Sequence, residues 1–214
     1  MIFPLRDRAR PRSPAYVTLA LVLLNAVAFW AEARLLHSGG EPALLPYTLV
    51  PRALIRLQWD AGLGGLFPHM FLHGGLMHLV GNLWFLWAFG GPAEGRLGHA
   101  GLLGIYVLGG VAGALLQVAA EPSSGVPLVG ASGAISGVMG AFLWEMGRRN
   151  LPLLVVVWRV EVRAWVFVLG WAGMQVVDAF SSLGRPAGEG GVAFFAHVGG
   201  FAVGLCATAV AGKR

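Results

Sequence analysis

Apolar residues fill long, nearly uncharged stretches of this chain instead of alternating with polar ones. Six stretches approach the roughly 20 residues that a helix needs to cross the hydrocarbon core of a bilayer. They are residues 15–33, 74–92, 100–120, a segment within 126–146, 164–183 and 192–211. The pattern predicts an all-α membrane protein whose six transmembrane helices form one domain over 15–211, with a segment at 1–14 before it and a tail at 212–214.

A seventh apolar segment, "LPLLVVVW" at 151–158, is too short to cross a membrane. Arg149 and Arg159 flank it, so we expect it to lie at the membrane interface. In the long connection 34–73, the segment "PRALIRLQW" is amphipathic and is suited to lie on the surface of a leaflet.

The distribution of basic residues predicts the orientation of the six helices. An even number of spans puts both termini on one side, which collects eleven of the fifteen basic residues: Arg6, Arg8, Arg10, Arg12, Arg96, Arg148, Arg149, Arg159, Arg163, Lys213 and Arg214. The other side collects Arg34, Arg52, Arg56 and Arg185. Because basic loops stay cytoplasmic, we predict that both termini are cytoplasmic and that 34–73 faces outward.

Composition agrees with a membrane protein and excludes several other classes. The chain is 57% hydrophobic and 12% charged, against about 25% charged for a soluble domain. Its net charge of +5 does not indicate nucleic-acid binding, since the arginines separate apolar runs and form no basic face. A single Cys206 excludes an internal disulfide and a multi-cysteine metal site, and we expect no metal or cofactor. The Arg-rich, Lys-poor composition is typical of a GC-rich bacterium, which predicts location in a bacterial plasma (inner) membrane.

Polar side chains within the predicted spans are few, and such residues are costly in lipid and are functional candidates. They include His78, Asn82, Ser132, Ser136, Asp178 and His197. At a rise of about 1.5 Å per residue, His78 lies ~6 Å and His197 ~7 Å below the outer surface. Any one intramembrane histidine is more often a packing or proton-relay residue than a catalyst, so the question is whether these side chains meet.

The sequence of the fourth span predicts that Ser132 lies at the same depth as the two histidines. The stretch "EPSSGVPLVGA" before Ser132 is too rich in Gly, Pro and Ser to be helical, so we expect the helix to begin at Ser132. About sixteen residues then span only ~24 Å of a ~30 Å core. The helix therefore starts inside the membrane, with Ser132 at the depth of His78 and His197. Irregular backbone at that depth must line a wet cavity or be covered by protein.

A serine at a helix N-terminus lies beside unpaired backbone N–H groups that can stabilise an oxyanion. Ser132 would need a base to become a nucleophile, and His197 is the candidate. His78 and Asn82, one turn apart, can add side-chain donors. Asp178 is a carboxyl within the fifth span, and nothing in the sequence connects it to His197. We therefore favour a Ser–His dyad over a triad.

Five segments together resemble the rhomboid intramembrane serine proteases over about residues 65–210. They are "HGGLMHLVGN" (73–82), "FGGPAEGRLG" (89–98), "GASG" (130–133), "VEVRAWVFVLGW" (160–171) and "AHVGGFAVG" (196–204). The resemblance implies a six-helix bundle that cleaves transmembrane-helix proteins in the bilayer. It makes Ser132 the nucleophile and His197 the general base, with His78, Asn82 and the Ser132 N–H as the oxyanion hole.

Supporting roles are expected for several other residues. His73 is expected to hold the loop by hydrogen bonds, and Gly130 belongs to the G-x-S-G motif. Small residues at helical spacing let helices approach closely, which we expect of Gly133, Gly137, Gly140, Gly200 and Gly204. By resemblance the fifth helix would move to admit substrate, with Trp171 and Phe180 as candidate residues of that gate.

Two features depart from the family pattern. Many members carry an aromatic residue one turn after the nucleophile, stacked on the base, where this chain has Ser136. Many bacterial members have an adjacent Trp-Arg pair in the first outer loop, whereas here Arg52, Arg56 and Trp59 are separate.

Two other functions agree less well with the sequence. A catalytically silent relative that binds transmembrane helices would have lost Ser132 or His197, and neither is lost. A transporter would show repeats and charges along a path through the membrane, which the sequence lacks. The sequence does not define an oligomeric state.

Overall fold

The computed structural model describes residues 2–5, 14–183 and 192–212. Its helices are α1 (Tyr16–Gly39), α2 (Pro51–Ile55), α3 (Leu76–Phe85), α4 (Gly91–Ala120), α5 (Ser132–Met146), α6 (Ala164–Ser182) and α7 (Phe194–Ala211). The strands β1 (Ile2–Pro4), β2 (Asn150–Val155) and β3 (Trp158–Arg163) form one antiparallel sheet in the order β1-β2-β3. The prediction of a mostly helical protein is confirmed, but the small sheet was not predicted.

Four stretches in the described part of the chain have the length and composition to cross a membrane: α1, Leu76–Ala120, α6 and α7. The predicted second and third spans thus form one stretch of 45 residues. It is not straight, because Gly98 has a left-handed φ of +74°. Helix α5 has 15 residues, fewer than the roughly 20 that a straight span needs.

Contacts along Leu76–Ala120 show how this stretch folds back. His78, near its start, lies beside Gly130, at the end of the bundle where α5 begins. Glu94 lies beside Thr18 at the start of α1, at the opposite end. Gly113, beyond the break at Gly98, is again close to the carbonyl of Ala196 at the first end. The chain therefore passes between the two ends of the bundle twice in this stretch.

Helix α5 is the centre of the bundle. It begins at Ser132, the position that the preceding Gly, Pro and Ser residues predict, and every residue from Gly133 to Phe142 is buried. The irregular segment before it is covered by the 40–75 connection, because Leu128 pairs with Leu49 in an antiparallel bridge. Nonpolar burial around α5 thus fixes the end of the helix on which Ser132 lies.

Glycines bring α5 into direct backbone contact with α4 and α7. A Cβ on Gly200 would overlap the carbonyl oxygen of Gly133, and one on Gly204 would overlap that of Gly137. On the other side, a Cβ on Gly109 would lie 3.0 Å from the Cα of Gly137. Such close approach maximises van der Waals contact where lipid provides no hydrophobic drive between helices.

Two buried carboxylates attach α1 to the rest of the bundle. Glu94 accepts hydrogen bonds from the backbone N–H groups of Val17 and Thr18, both at 2.8 Å, and from the Thr18 hydroxyl at 2.6 Å. Near the other end of α1, Glu32 accepts from the backbone N–H of His73 at 2.8 Å. Because carboxylates at a helix start satisfy its unpaired N–H groups, Glu94 fixes where α1 begins.

The apolar segment 151–158 forms β2 and the turn that follows it. Leu151 and Leu153 are buried in the main core, whereas the tip residues Val156, Val157 and Trp158 are exposed. β1 pairs with β2, so the start of the chain lies at the same end of the bundle as the connection from α5 to α6. Its place at a membrane interface stays a prediction.

The predicted amphipathic segment 51–59 is partly helical. Ala53 and Leu54 are buried within α2, whereas Ile55, Leu57 and Trp59 expose their side chains. Leu57 and Trp59 lie beyond the end of α2, so the helix covers only part of the predicted segment, and its contact with a lipid leaflet stays a prediction.

A methyl group added at the α5–α7 contact tests this packing. We expect Gly204→Ala to lower the free energy of unfolding by about 1–3 kcal/mol, since its Cβ would overlap backbone that cannot rotate away. Denaturant unfolding in detergent measures this value. Gly173→Ala on α6 is the matched control, because nothing lies within 4 Å of its Cβ position. Equal stability of the two variants would contradict the packing argument.

Candidate active site

Ser132 and His197 meet where α5 and α7 begin. The Nε2 atom of His197 lies 2.8 Å from the Oγ of Ser132. Both side chains are half-buried, so a molecule entering from this end can reach them. The contact joins residues 65 positions apart in the chain, and the glycine-mediated approach of α5 and α7 makes it possible.

The start of α5 also offers unpaired backbone donors. The first α5 hydrogen bond in the backbone runs from the N–H of Ile135 to the carbonyl of Ala131. The N–H groups before it have no partner within the helix, and the N-cap residue Ala131 supplies no side-chain bond. These groups carry the positive end of the helix dipole next to the Ser132 hydroxyl.

His78 and Asn82 lie one turn apart on α3, and the His78 ring lies close to Gly130 and Ser132. A Cβ on Gly130 would be 2.9 Å from Cε1 of His78 and 3.6 Å from Oγ of Ser132, so Gly130 keeps open the space between them. Its φ of +131° also favours glycine. Asn82 is 8% exposed, and its Nδ2 has no hydrogen-bond partner among the described residues. A buried amide donor without a partner is costly, and functional sites are where such groups occur.

His69 and His73 hold the loop that carries Gly130. The backbone carbonyl of His69 accepts the N–H of Gly130 at 2.8 Å, and the His69 ring bonds the carbonyl of Gly65 at 3.0 Å. His73 uses Nδ1 toward the carbonyl of Phe71 at 3.2 Å, and its ring packs edge-on against that of His78 at 5.3 Å. The sequence assigned no role to His69, although it is the direct backbone support of Gly130.

Burial keeps these two loop histidines neutral. It lowers the pKa of His69 to about 4, and it lowers the pKa of His73 to about 4 with a further contribution from the neighbouring His78. A neutral ring can donate from one nitrogen and accept at the other, which suits the observed bonds to carbonyl groups.

Helix α6 supplies contacts to His197 that sequence reasoning missed. The Oε1 atom of Gln175 lies 2.5 Å from Nδ1 of His197. One turn earlier on α6, Trp171 packs against the His197 ring at 6.1 Å with an interplanar angle of 32°. The available signal is the amide of Gln175 in a mostly apolar helix, which a prediction restricted to carboxylates does not find.

Ser136 does not take the place of an aromatic partner for His197. Its side chain is buried, and its hydroxyl donates to the carbonyl of Ser132 at 2.6 Å. This is a bond to the preceding helical turn, so Ser136 acts within α5. Among the described residues, no group of three or more His, Cys, Asp or Glu side chains is arranged to hold a metal ion.

Comparison with known proteins identifies the fold that carries this site. Residues 60–214 match the Rhomboid domain family, and this range contains Ser132, His197, His78, Asn82 and Gln175.

This chain belongs to the rhomboid family.

Similar proteins bear out this assignment. The chain is 32% identical over 139 residues to the proteins named Rhomboid protease GlpG of Salmonella paratyphi A (strain ATCC 9150 / SARB42), Salmonella newport (strain SL254) and Salmonella heidelberg (strain SL476). Each match covers 65% of this chain and 45% of the relative, so the chain spans less than half the length of the curated relatives it matches. Membership of the rhomboid family, with apolar helices long enough to cross a bilayer, makes this an integral membrane protein.

The loop histidines predict how stability depends on pH. Unfolded histidines bind a proton near pH 6.5, whereas His69 and His73 bind one only near pH 4. Between these values the unfolded chain holds more protons, so the free energy of unfolding should fall as the pH is lowered from about 6.5 to about 4. Unfolding midpoints measured across this range test it. His69→Gln and His73→Gln should each flatten the dependence, and an unchanged slope in both would contradict it.

Proposed function

We propose that this protein is an intramembrane serine protease that hydrolyses peptide bonds in or near transmembrane segments of membrane proteins. The observation that carries the proposal is the 2.8 Å contact between the hydroxyl of Ser132 and Nε2 of His197, inside a rhomboid-family fold. Ser132 is the nucleophile and His197 is the general base. The catalytically silent alternative is not favoured, because both reacting side chains are present and in contact.

The chemistry follows from where the atoms lie. Ser132 Oγ attacks the scissile carbonyl carbon while its proton moves to Nε2 of His197. The same nitrogen then gives the proton to the leaving amine as the C–N bond breaks, which leaves an acyl ester on Ser132. Water attacks this ester by the same route and releases the second product. No cofactor enters these steps.

The negative charge that develops on the carbonyl oxygen needs donors. The donors that we assign to this oxygen are the Ser132 N–H at the start of α5, the unpaired Nδ2 of Asn82 and the His78 ring, which lies close to Gly130 and Ser132. An amide that is already buried without a partner gains a hydrogen bond only when the oxyanion forms. Such donors stabilise the transition state more than the ground state.

The membrane arrangement is part of the proposal. We count six spans, taking Leu76–Ala120 as two and α5 as a short one that starts below the membrane surface. Both termini face the cytoplasm, the site opens to the outer side, and the membrane is the plasma (inner) membrane of a bacterium. The pairing of β1 with β2 supports a shared side for the start of the chain and the arginine-rich connection after α5.

Substrates are proposed to be transmembrane helices that unwind readily near their outer ends. A helical peptide bond has its carbonyl engaged in an i→i−4 bond, so the segment must become extended before Ser132 can attack. Gly, Pro or polar residues lower the cost of unwinding. A small residue just before the cut suits the glycine-rich surroundings of Ser132.

Removal of either reacting side chain tests the dyad. We expect Ser132→Ala and His197→Ala to reduce cleavage of a model transmembrane substrate by about 10⁶-fold, as loss of either residue does in a soluble serine protease. A fluorophosphonate should label the wild type and not Ser132→Ala. Asp178→Asn is the control and should keep substantial activity. Near wild-type cleavage by either dyad variant would refute the assignment.

The unpaired amide of Asn82 gives a separate test of the oxyanion hole. We expect Asn82→Ala to lower kcat by roughly 10²–10³-fold with little change in KM, and His78→Ala to have a smaller effect of the same kind. Asn25→Ala is the matched control, since Asn25 is a buried asparagine on α1 whose amide donates to the Leu21 carbonyl. It should lower stability and leave kcat of the folded protein unchanged. A change confined to KM in both site variants would make them binding residues.

A further inference from the structure

We propose that Gln175 is a positioning residue that holds the His197 ring in the tautomer and orientation that let it act as a base. This inference rests on the proposed function and adds a third member, from a third helix, to the pair formed by Ser132 and His197. Gln175 touches neither the substrate nor the Ser132 hydroxyl, so it acts through His197.

The hydrogen bond fixes which nitrogen carries the proton. The amide oxygen of Gln175, 2.5 Å from Nδ1 of His197, can only accept a hydrogen bond. Nδ1 of the neutral ring therefore carries the hydrogen, and Nε2, 2.8 Å from the Ser132 hydroxyl, has its lone pair free. In the other tautomer Nε2 would carry a hydrogen and could not take the proton of Ser132.

Two aromatic rings also contact the His197 ring. Trp171, one turn before Gln175 on α6, packs over His197, and Phe194 packs edge-on at 6.2 Å with an interplanar angle of 87°. Ser136 on α5 turns its hydroxyl to the Ser132 carbonyl and not to the ring, so the contact of His197 with α5 is the one to Ser132. Residues of α6 therefore orient the His197 ring in this chain, which has serine at position 136 where many family members have an aromatic residue.

An amide suits this place for an energetic reason. A carboxylate in an apolar helix would have to lose its hydration, whereas a neutral amide carries no charge to desolvate. Asp178, three residues further along α6, is the nearby carboxyl, yet the partner of Nδ1 is Gln175. Since an amide adds no negative charge, Gln175 orients the ring without strongly stabilising its protonated form.

Two variants of nearly equal size separate the hydrogen bond from the space that the side chain fills. Gln175→Met keeps the length and removes the acceptor, and we expect it to lower kcat by roughly 10- to 100-fold with KM unchanged. Gln175→Glu keeps an acceptor and should restore kcat. Its carboxylate would also stabilise the protonated ring, so the acid limb of the kcat/KM profile should move to higher pH. Asp178→Asn is the control on the same helix and should change neither kcat nor the profile.

The outcomes distinguish this inference from the proposed function. If the wild type neither cleaves a model substrate nor reacts with a fluorophosphonate, the proposed function fails. If the wild type is active and Gln175→Met has wild-type kcat, or Gln175→Glu loses as much as Gln175→Met with no shift of the profile, the positioning role fails alone.

A readout without turnover completes the test. In ¹⁵N-histidine spectra, the His197 signal, assigned by its loss in His197→Ala, should show protonated Nδ1 in the wild type. In Gln175→Met it should show a mixture of tautomers. The same Nδ1-protonated signal in both proteins would overturn the proposal even if no substrate were at hand.

Discussion

The close approach of α5 to α4 and α7 is the constraint on which the rest of this structure depends. Glycines on facing helix surfaces remove the side chains that would otherwise separate the backbones, as at the Gly200–Gly133 and Gly204–Gly137 contacts. Only at this spacing can a histidine at the start of α7 reach a serine at the start of α5. In a lipid solvent the contact is stabilised by van der Waals packing, which falls off steeply with distance. Glycine is therefore the residue that permits both the fold and the site.

A second set of constraints holds the irregular backbone next to Ser132. The loop that carries Gly130 bonds the carbonyl of His69, and the N–H of His73 is held by the carboxylate of Glu32 on α1. Each bond satisfies a backbone group that would be costly if left unpaired away from water. Most polar side chains of this region therefore hydrogen-bond the backbone of the loop, and the others can contact a bound molecule. In this region Nδ2 of Asn82 and Nε2 of His73 are buried without a partner among the described residues, and the Asn82 amide remains available to a bound molecule.

The sequence predicted the parts of this structure that composition controls. Helix α5 begins at Ser132 because the Gly, Pro and Ser residues before it disfavour helical structure. The sequence did not predict the sheet. A short apolar segment such as "LPLLVVVW" is compatible with a strand, a helix or a segment at the membrane interface, and its partner strand β1 is distant in the chain. It also missed Gln175, because pairing between α6 and α7 depends on the rotation of two helices about their axes. Periodicity in nearly uniform apolar helices does not define that rotation.

The placement of Gln175 links the base to a helix with few buried residues. Within α6 only Ala164, Val168 and Ala179 are buried, whereas α5 is buried along most of its length. A hydrogen bond weakens steeply beyond about 3.2 Å, so a shift of α6 by little more than 1 Å would remove the bond from His197 to Gln175. The Ser132–His197 contact lies between α5 and α7 and would survive such a shift. The hydroxyl and its base are thus held by the close α5–α7 contact, while the tautomer of that base depends on where α6 lies.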